Sequence, residues 1–174
     1  MRPALLLIAV VLAGCVKYPE PYRPPMQRRP MELTETNRLK HFVHMNAPDA
    51  MNYVVADVMP ELNDGNWRWT LKSPTLQFQL PSTAAMRLSA DLTIPDITYQ
   101  QTGPVKITVY IGGHLLDTID CPKPGQRTWE KAVPAEWLSS DTPVLVRMEI
   151  DKIWTSPSDG AQRGFILTRI GFVQ

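Results

Sequence analysis

The sequence predicts an all-β fold, an antiparallel jelly-roll β-sandwich, over residues 52–174. Short runs rich in Val, Ile, Thr and aromatic residues recur in this part of the chain, and Pro, Gly and Asp separate them. Two runs alternate strictly between apolar and polar residues, which is typical of strands with one buried face. A glycine pair between two runs predicts a tight hairpin. About eight or nine strands at such short spacing favour a sandwich.

The clearest strand is Val105–Ile111, in which every second residue is Val or Ile. Gly112 and Gly113 follow it and accept the positive φ angles of a primed two-residue turn, so the chain is expected to return in a hairpin. Met86–Thr93 alternates in the same way. The predicted strands are Asn52–Val58, Trp67–Leu71, Thr75–Leu80, Met86–Thr93, Val105–Ile111, His114–Ile119, Thr128–Val133, Val144–Asp151 and Gly164–Val173.

Two short helical segments accompany the strands. Thr34 or Thr36 caps a predicted helix that runs to Met45 and has one apolar side. Residues 34–51 are therefore interpreted as a short helical or irregular lead-in to the sandwich. Pro134 begins one predicted helical turn, which places Trp137 against the end of a sheet.

The first fifteen residues resemble the lipobox of bacterial lipoproteins. Arg2 gives a basic start, residues 4–12 are apolar, and Leu-Ala-Gly-Cys ends at Cys15. A membrane-spanning helix needs about 20 apolar residues, so the run is too short to be one. The resemblance implies that residues 1–14 are a signal peptide and that Cys15 carries the lipid, including palmitate. Val16 follows in place of the Asp typical of inner-membrane lipoproteins, which favours the outer membrane of a bacterial envelope. The alternative is an ordinary signal peptide with an incidental cysteine.

Residues 15–33 predict a proline-rich tether. Prolines recur through this segment, and such a sequence favours extended polyproline II. Basic residues outnumber acidic ones in it, which suits contact with anionic headgroups. Recognition by a periplasmic or cell-wall partner is the alternative role.

Charge and motifs exclude several function classes. The net charge of +1 over 174 residues does not indicate a nucleic-acid partner. The sequence lacks a Gly-x-Ser-x-Gly elbow, a His-Glu-x-x-His helix and a phosphate-binding glycine loop, so a non-catalytic protein is predicted. His41 and His44 stand three residues apart without an evident third ligand, so no metal site is predicted there. Cys121 is the only cysteine besides Cys15 and is expected to be buried and inert.

Several stretches, taken in order, resemble the galactose-binding-like β-sandwich family, which includes carbohydrate-binding modules. They are Trp67–Thr70 with Leu76–Pro81, then Thr102–Gly113, Val133–Leu138 and Ile150–Phe165. The resemblance covers residues 50–174 and implies a jelly roll that binds glycan or polysaccharide. Structural modules occur in the same family, so an assembly lipoprotein that docks an envelope protein is the alternative function.

The same resemblance points to particular residues. Asp159–Phe165 keeps the acid, one arginine and the glycine of a motif near the end of such domains, so Asp159 and Arg163 are candidate ligand-binding residues. A structural Ca²⁺ is also possible in this family, and Asp151 and Asp159 are conceivable ligands for it.

Aromatic rings are the remaining candidates, because sugar C–H groups stack on flat aromatic faces. Trp154 is predicted to be exposed in a loop, and Tyr99 is a second candidate in a predicted loop over residues 96–103. Trp67 and Trp69 share one strand face. Together with Trp137, they are expected mainly in the core or at a sheet end.

Overall fold

The computed structural model describes residues 39–174 as an antiparallel β-sandwich, which confirms the predicted fold class. The strands are β1 (Phe42–His44), β2 (Val54–Val58), β3 (Arg68–Phe78), β4 (Arg87–Ile94), β5 (Val105–Ile111), β6 (His114–Cys121), β7 (Gly125–Ala132), β8 (Val144–Ile150), β9 (Trp154–Thr155), β10 (Gln162–Arg163) and β11 (Ile166–Val173). One α-helix, α1 (Asp96–Thr102), and two short 3₁₀ turns, Ala50–Tyr53 and Ala135–Trp137, complete the described elements.

Strand β3 joins the two sheets of the sandwich. Its start pairs with β11 and its end pairs with β8. The hydrogen-bonded order is β6-β5-β8-β3-β11-β4-β7, with β1 added to β11 and β2 added to β3. The β9–β10 hairpin is separate from this path and contacts β3.

Inward side chains of both sheets pack into one hydrophobic core. Phe78 of β3 and Phe172 of β11 meet edge to face, with ring centroids 5.8 Å apart. Cys121 at the end of β6 is buried, as predicted, and burial raises the pKa of its thiol. A raised pKa leaves little thiolate at neutral pH, so this cysteine is a packing residue.

The predicted helix over Thr34–Met45 is wrong for its described part, which contains strand β1. Phe42 lies opposite Gly171 of β11. A Cβ atom on Gly171 would lie 2.4 Å from the Phe42 Cα, so glycine lets the two backbones approach. Pairing with β11 buries Val43 in the core, and this tertiary contact overrides the local helical pattern.

The predicted strands Trp67–Leu71 and Thr75–Leu80 form one continuous strand, β3, which passes through Pro74. Proline interrupts strands because it has no N–H to donate to a sheet ladder. Here the register between β2 and β3 shifts. The Ser73 N–H donates to Asp57 Oδ2 at 2.8 Å, so a side-chain carboxylate accepts from the backbone donor that precedes the proline.

The predicted hairpin and the predicted helical turn are both confirmed. Gly112 and Gly113 have φ angles of 55° and 92° between β5 and β6. Trp137 ends the Ala135–Trp137 turn, is half-buried, and stacks on His114 with ring centroids 5.0 Å apart.

The lipobox, Cys15 and the proline-rich tether lie outside the described residues, so those predictions are untested. Within residues 39–174, the helices are too short or too polar to cross a bilayer.

Candidate functional site

Two indole rings lie together where β3 begins. Trp67 and Trp69 contact edge to face with centroids 5.6 Å apart, and both are half-buried. Trp67 Nε1 donates to Asp64 Oδ2 at 3.3 Å. Their alternation with buried Arg68 and Thr70 places both rings on the outer side of the sheet. The shared face is confirmed, but the expectation that these rings fill the core or a sheet end is corrected.

Arg163 of β10 connects this aromatic pair to Trp154. Its guanidinium carbon lies 5.7 Å from the ring centroids of both Trp69 and Trp154. Its Nη1 and Nη2 donate to the two carboxylate oxygens of Asp159, at 3.2 and 2.6 Å. Cation–π contact and a bidentate ion pair therefore fix the same side chain.

Asp159 is held by several donors within one turn of chain. The hydrogen bonds from Arg163 lower the pKa of Asp159 most, followed by those from the Ser156 side chain and the Ala161 N–H, which lies 3.1 Å from Oδ1. These hydrogen bonds hold the pKa of the Asp159 carboxyl well below its usual range, and Asp159 in turn raises the pKa of Arg163. Both groups therefore remain charged at neutral pH.

Trp154 is not the exposed loop residue that the sequence predicts. It is only 6% exposed, in strand β9, where it pairs with Arg163. The helix α1 contacts β9 as well. Trp154 Nε1 is buried and has no hydrogen-bond partner among the described residues. The ring is therefore a packing element under Arg163, and it presents no open face to a ligand.

Tyr99 also differs from its prediction, because residues 96–102 form helix α1 and not a loop. The ring is half-buried against the core, and its hydroxyl donates to the Pro122 carbonyl at 2.5 Å. The structure thus brings together Trp154, Asp159 and Arg163 but directs the Tyr99 hydroxyl to the turn between β6 and β7.

The aromatic pair continues into a polar surface on the sheet β1–β11–β4–β7. We call this surface the outer face. Strand register places its residues in rows that run across the sheet. One row contains Trp69, Ile166, Thr93 and Gln126, and the next contains His44, Arg169, Asp91 and Thr128.

Arg169 and Asp91 form the centre of the outer face. Arg169 Nε donates to Asp91 Oδ2 at 2.6 Å. The Arg169 side chain is 40% exposed, whereas that of Asp91 is 11% exposed. Asp91 Oδ1 is buried without a hydrogen-bond partner among the described residues. Polar residues at alternate positions of β4 were the only sequence signal for this pair, and its partner strand could not be read from that signal.

The predicted calcium ligands serve other contacts. Asp151 Oδ1 accepts from the Lys106 N–H at 2.9 Å, while Asp159 binds Arg163. The described part of the chain contains no group of three His, Cys, Asp or Glu side chains placed to hold a metal ion.

No protein-family model matches the sequence, and no curated protein matches it. Solved structures do match, among them the carbohydrate-binding module TmCBM27, described for specific mannan recognition. That likeness has a TM-score of 0.46 and 10% identity over 79% of this chain and 98% of the other.

Proposed function

We propose that this chain is a non-catalytic, glycan-binding module that a lipid on Cys15 anchors to the outer membrane of a bacterial envelope. The observation that supports it most is the half-exposed Trp67–Trp69 pair at one end of the polar outer face. Sugar rings combine apolar C–H faces with hydroxyl groups, and a site for them needs aromatic surface beside polar side chains.

The outer face supplies both kinds of group on one rigid sheet. Trp69 lies in the same row as Thr93 and Gln126, at positions fixed by strand pairing. Arg163 and Asp159 lock the neighbouring hairpin against the Trp69 ring. A site on paired strands is preorganised, so little conformational entropy is lost on binding.

The arrangement of carboxylates supports the non-catalytic part of the proposal. Glycoside hydrolysis needs two carboxyl groups that face one bond across a cleft. On the outer face, Asp91 and Glu130 are each paired with an arginine. These ion pairs neutralise the groups that such a reaction would use.

The test is binding of soluble glycans by the full chain, purified in detergent micelles. A glycan array identifies the ligand, and calorimetric titration then compares wild type with Trp69→Ala. We expect the substitution to weaken binding by about 1–3 kcal/mol, by analogy with bases stacked on aromatic rings. Trp137→Ala is the matched control, because this half-buried tryptophan stacks on His114 and not on the outer face.

Thermal unfolding of each variant separates binding from folding. Trp67→Ala tests the same aromatic pair without removing the ring that contacts Arg163. Unchanged affinity in both Trp67→Ala and Trp69→Ala would place the glycan elsewhere. Absence of binding to every glycan on the array would reject the function itself.

The second candidate is docking of an envelope protein, and the other sheet provides the observation that favours it. Leu115 and Leu145 are 58% and 45% exposed. Register places Leu115 opposite Tyr110, on whose ring Arg147 stacks at 4.3 Å. Exposed apolar side chains near an aromatic–arginine pair are typical of protein interfaces. Leu115→Asp with Leu145→Asp would then abolish cross-linking to an envelope protein in cells and leave glycan binding intact.

A further inference from the structure

The outer face has its charges matched in pairs. On the outer side of strands β4, β7 and β11, register places two arginines, Arg87 and Arg169, and two carboxylates, Asp91 and Glu130. Arg169 pairs with Asp91, and Arg87 pairs with Glu130 through a direct contact between Arg87 Nε and Glu130 Oε1. Beside Trp69, Arg163 pairs with Asp159. Each arginine that faces the proposed glycan path therefore has a carboxylate partner.

From this pairing we infer the ligand class: an uncharged polysaccharide, bound along the outer face from Trp69 toward Arg87. The inference rests on the proposed function and narrows it. An acidic glycan gains affinity from cations that are free to bind carboxylate or sulfate groups. On this surface such a group would have to compete with Asp91, Glu130 or Asp159, and it would meet those carboxylates at close range.

Sugar hydroxyl groups, in contrast, can form hydrogen bonds with arginines and carboxylates that already form ion pairs. The Arg169 guanidinium uses Nε for Asp91, and its 40% exposed side chain leaves the remaining N–H groups available to donate. Glu130, whose side chain is 39% exposed, offers carboxylate oxygens to a hydroxyl donor on the same face. A hydroxyl group can both accept from an arginine and donate to a carboxylate oxygen, whereas an anionic group can only accept.

The experiment uses two matched pairs of polymers, and the members of each pair share one backbone and differ in charge. Polygalacturonate is titrated against the full chain in detergent micelles, beside the same polymer with its carboxyl groups methyl-esterified. Hydroxyethyl cellulose and carboxymethyl cellulose form a second matched pair. For at least one pair, we expect the uncharged polymer to bind about tenfold or more tightly than its charged counterpart. We also expect this affinity to change less than about twofold between roughly 0.05 and 0.5 M NaCl.

A charge-unpairing variant tests whether the outer face sets this preference. Glu130→Gln frees Arg87 without changing the size of the side chain. It should create salt-sensitive binding to the charged polymer, with the dissociation constant falling about tenfold or more relative to wild type at low salt. Asp120→Asn is the matched control, because it removes one exposed negative charge and frees Lys106 on the opposite sheet.

Three results would overturn the inference. Tighter, salt-sensitive binding of wild type to the charged polymers would reject the ligand class and keep the glycan-binding function. Equal gains from Glu130→Gln and Asp120→Asn would show that total charge, and not the outer face, controls selectivity. Absence of binding to all four polymers and to every array glycan would reject the function and the inference together.

Discussion

Gly164 is the residue at which the segment that carries Arg163 meets β3. Its N–H donates to the Thr70 carbonyl at 2.7 Å. A Cβ atom at this position would lie 2.4 Å from the Leu71 carbonyl oxygen. The obstructing atom belongs to the backbone, so a side chain here forces the two segments apart.

We therefore expect Gly164→Ala to lower the free energy of unfolding by about 1–3 kcal/mol, the usual cost of overpacking. Because Arg163 is the neighbouring residue, the near-ultraviolet circular dichroism of the tryptophans should change as well. Gly125→Ala is the control: its φ of +117° strains alanine, but nothing lies within 4 Å of the new Cβ. That control should lose stability and keep the wild-type tryptophan spectrum. If Gly164→Ala also kept the wild-type spectrum, the expectation that this substitution displaces Arg163 from the tryptophan rings would be wrong.

At the scale of elements, the Asp159–Arg163 ion pair helps to hold the β9–β10 hairpin on β3, because Arg163 lies over the Trp69 ring. The pKa of Asp159 is lowered in the folded state, chiefly by Arg163. A lowered carboxyl pKa stabilises the fold at every pH above the ordinary aspartate value, about 3.9. That contribution is lost as the pH falls from there through the lower folded-state pKa.

The expected outcome is a pH-dependent difference between wild type and Asp159→Asn in urea denaturation. Wild type should be the more stable protein at neutral pH, and the difference should shrink once the pH falls below about 4. Glu136→Gln serves as the control, since this carboxylate lies in the 3₁₀ turn far along the chain from the hairpin. A difference between wild type and Asp159→Asn that stays constant with pH would show that Asp159 acts without its charge.

Strands with strict alternation could be predicted from the sequence, whereas elements fixed by distant partners could not. The hairpin of β5 and β6 follows from its own residues, because alternation defines the buried face and two glycines define the turn. Strand β1 has only three residues, and its pairing with β11 depends on Gly171, which lies far along the chain.

The residues of the candidate site could likewise be predicted only in part from the sequence. The sequence singled out Asp159 and Arg163, and the structure brings them together in a bidentate pair. The burial of Trp154 could not be predicted, because the covering groups come from β10 and α1 and the two-residue strand β9 has no periodicity of its own. Likewise, the Arg169–Asp91 pair depends on the register between β11 and β4.

At the scale of the whole molecule, the two sheets present different surfaces. The outer face carries paired charges beside the Trp67–Trp69 pair, and the opposite sheet exposes Leu115 and Leu145. The two proposed functions thus use separate surfaces, and substitutions on one sheet can test one function without altering the other. A module held at a membrane by the proposed proline-rich tether would gain effective concentration for any ligand at that membrane.

The proposed anchor gives the last prediction, which concerns Cys15. Each CH₂ group buried in a bilayer contributes about 0.8 kcal/mol, so a single acyl chain holds a protein weakly and two or three chains hold it stably. Replacing the thiol removes the atom to which the diacylglycerol would be attached. In Cys15→Ser cells, we therefore expect the protein to leave the membrane fraction or to remain unprocessed, and to incorporate no labelled palmitate. Cys121→Ser is the matched control: this thiol is buried in the core, so the variant should keep its palmitate and its membrane association. Palmitate incorporated at the wild-type level in Cys15→Ser would disprove the anchor, and the basic, proline-rich segment would then have to supply any membrane binding through anionic headgroups alone, at about 1 kcal/mol for each lysine or arginine near the surface.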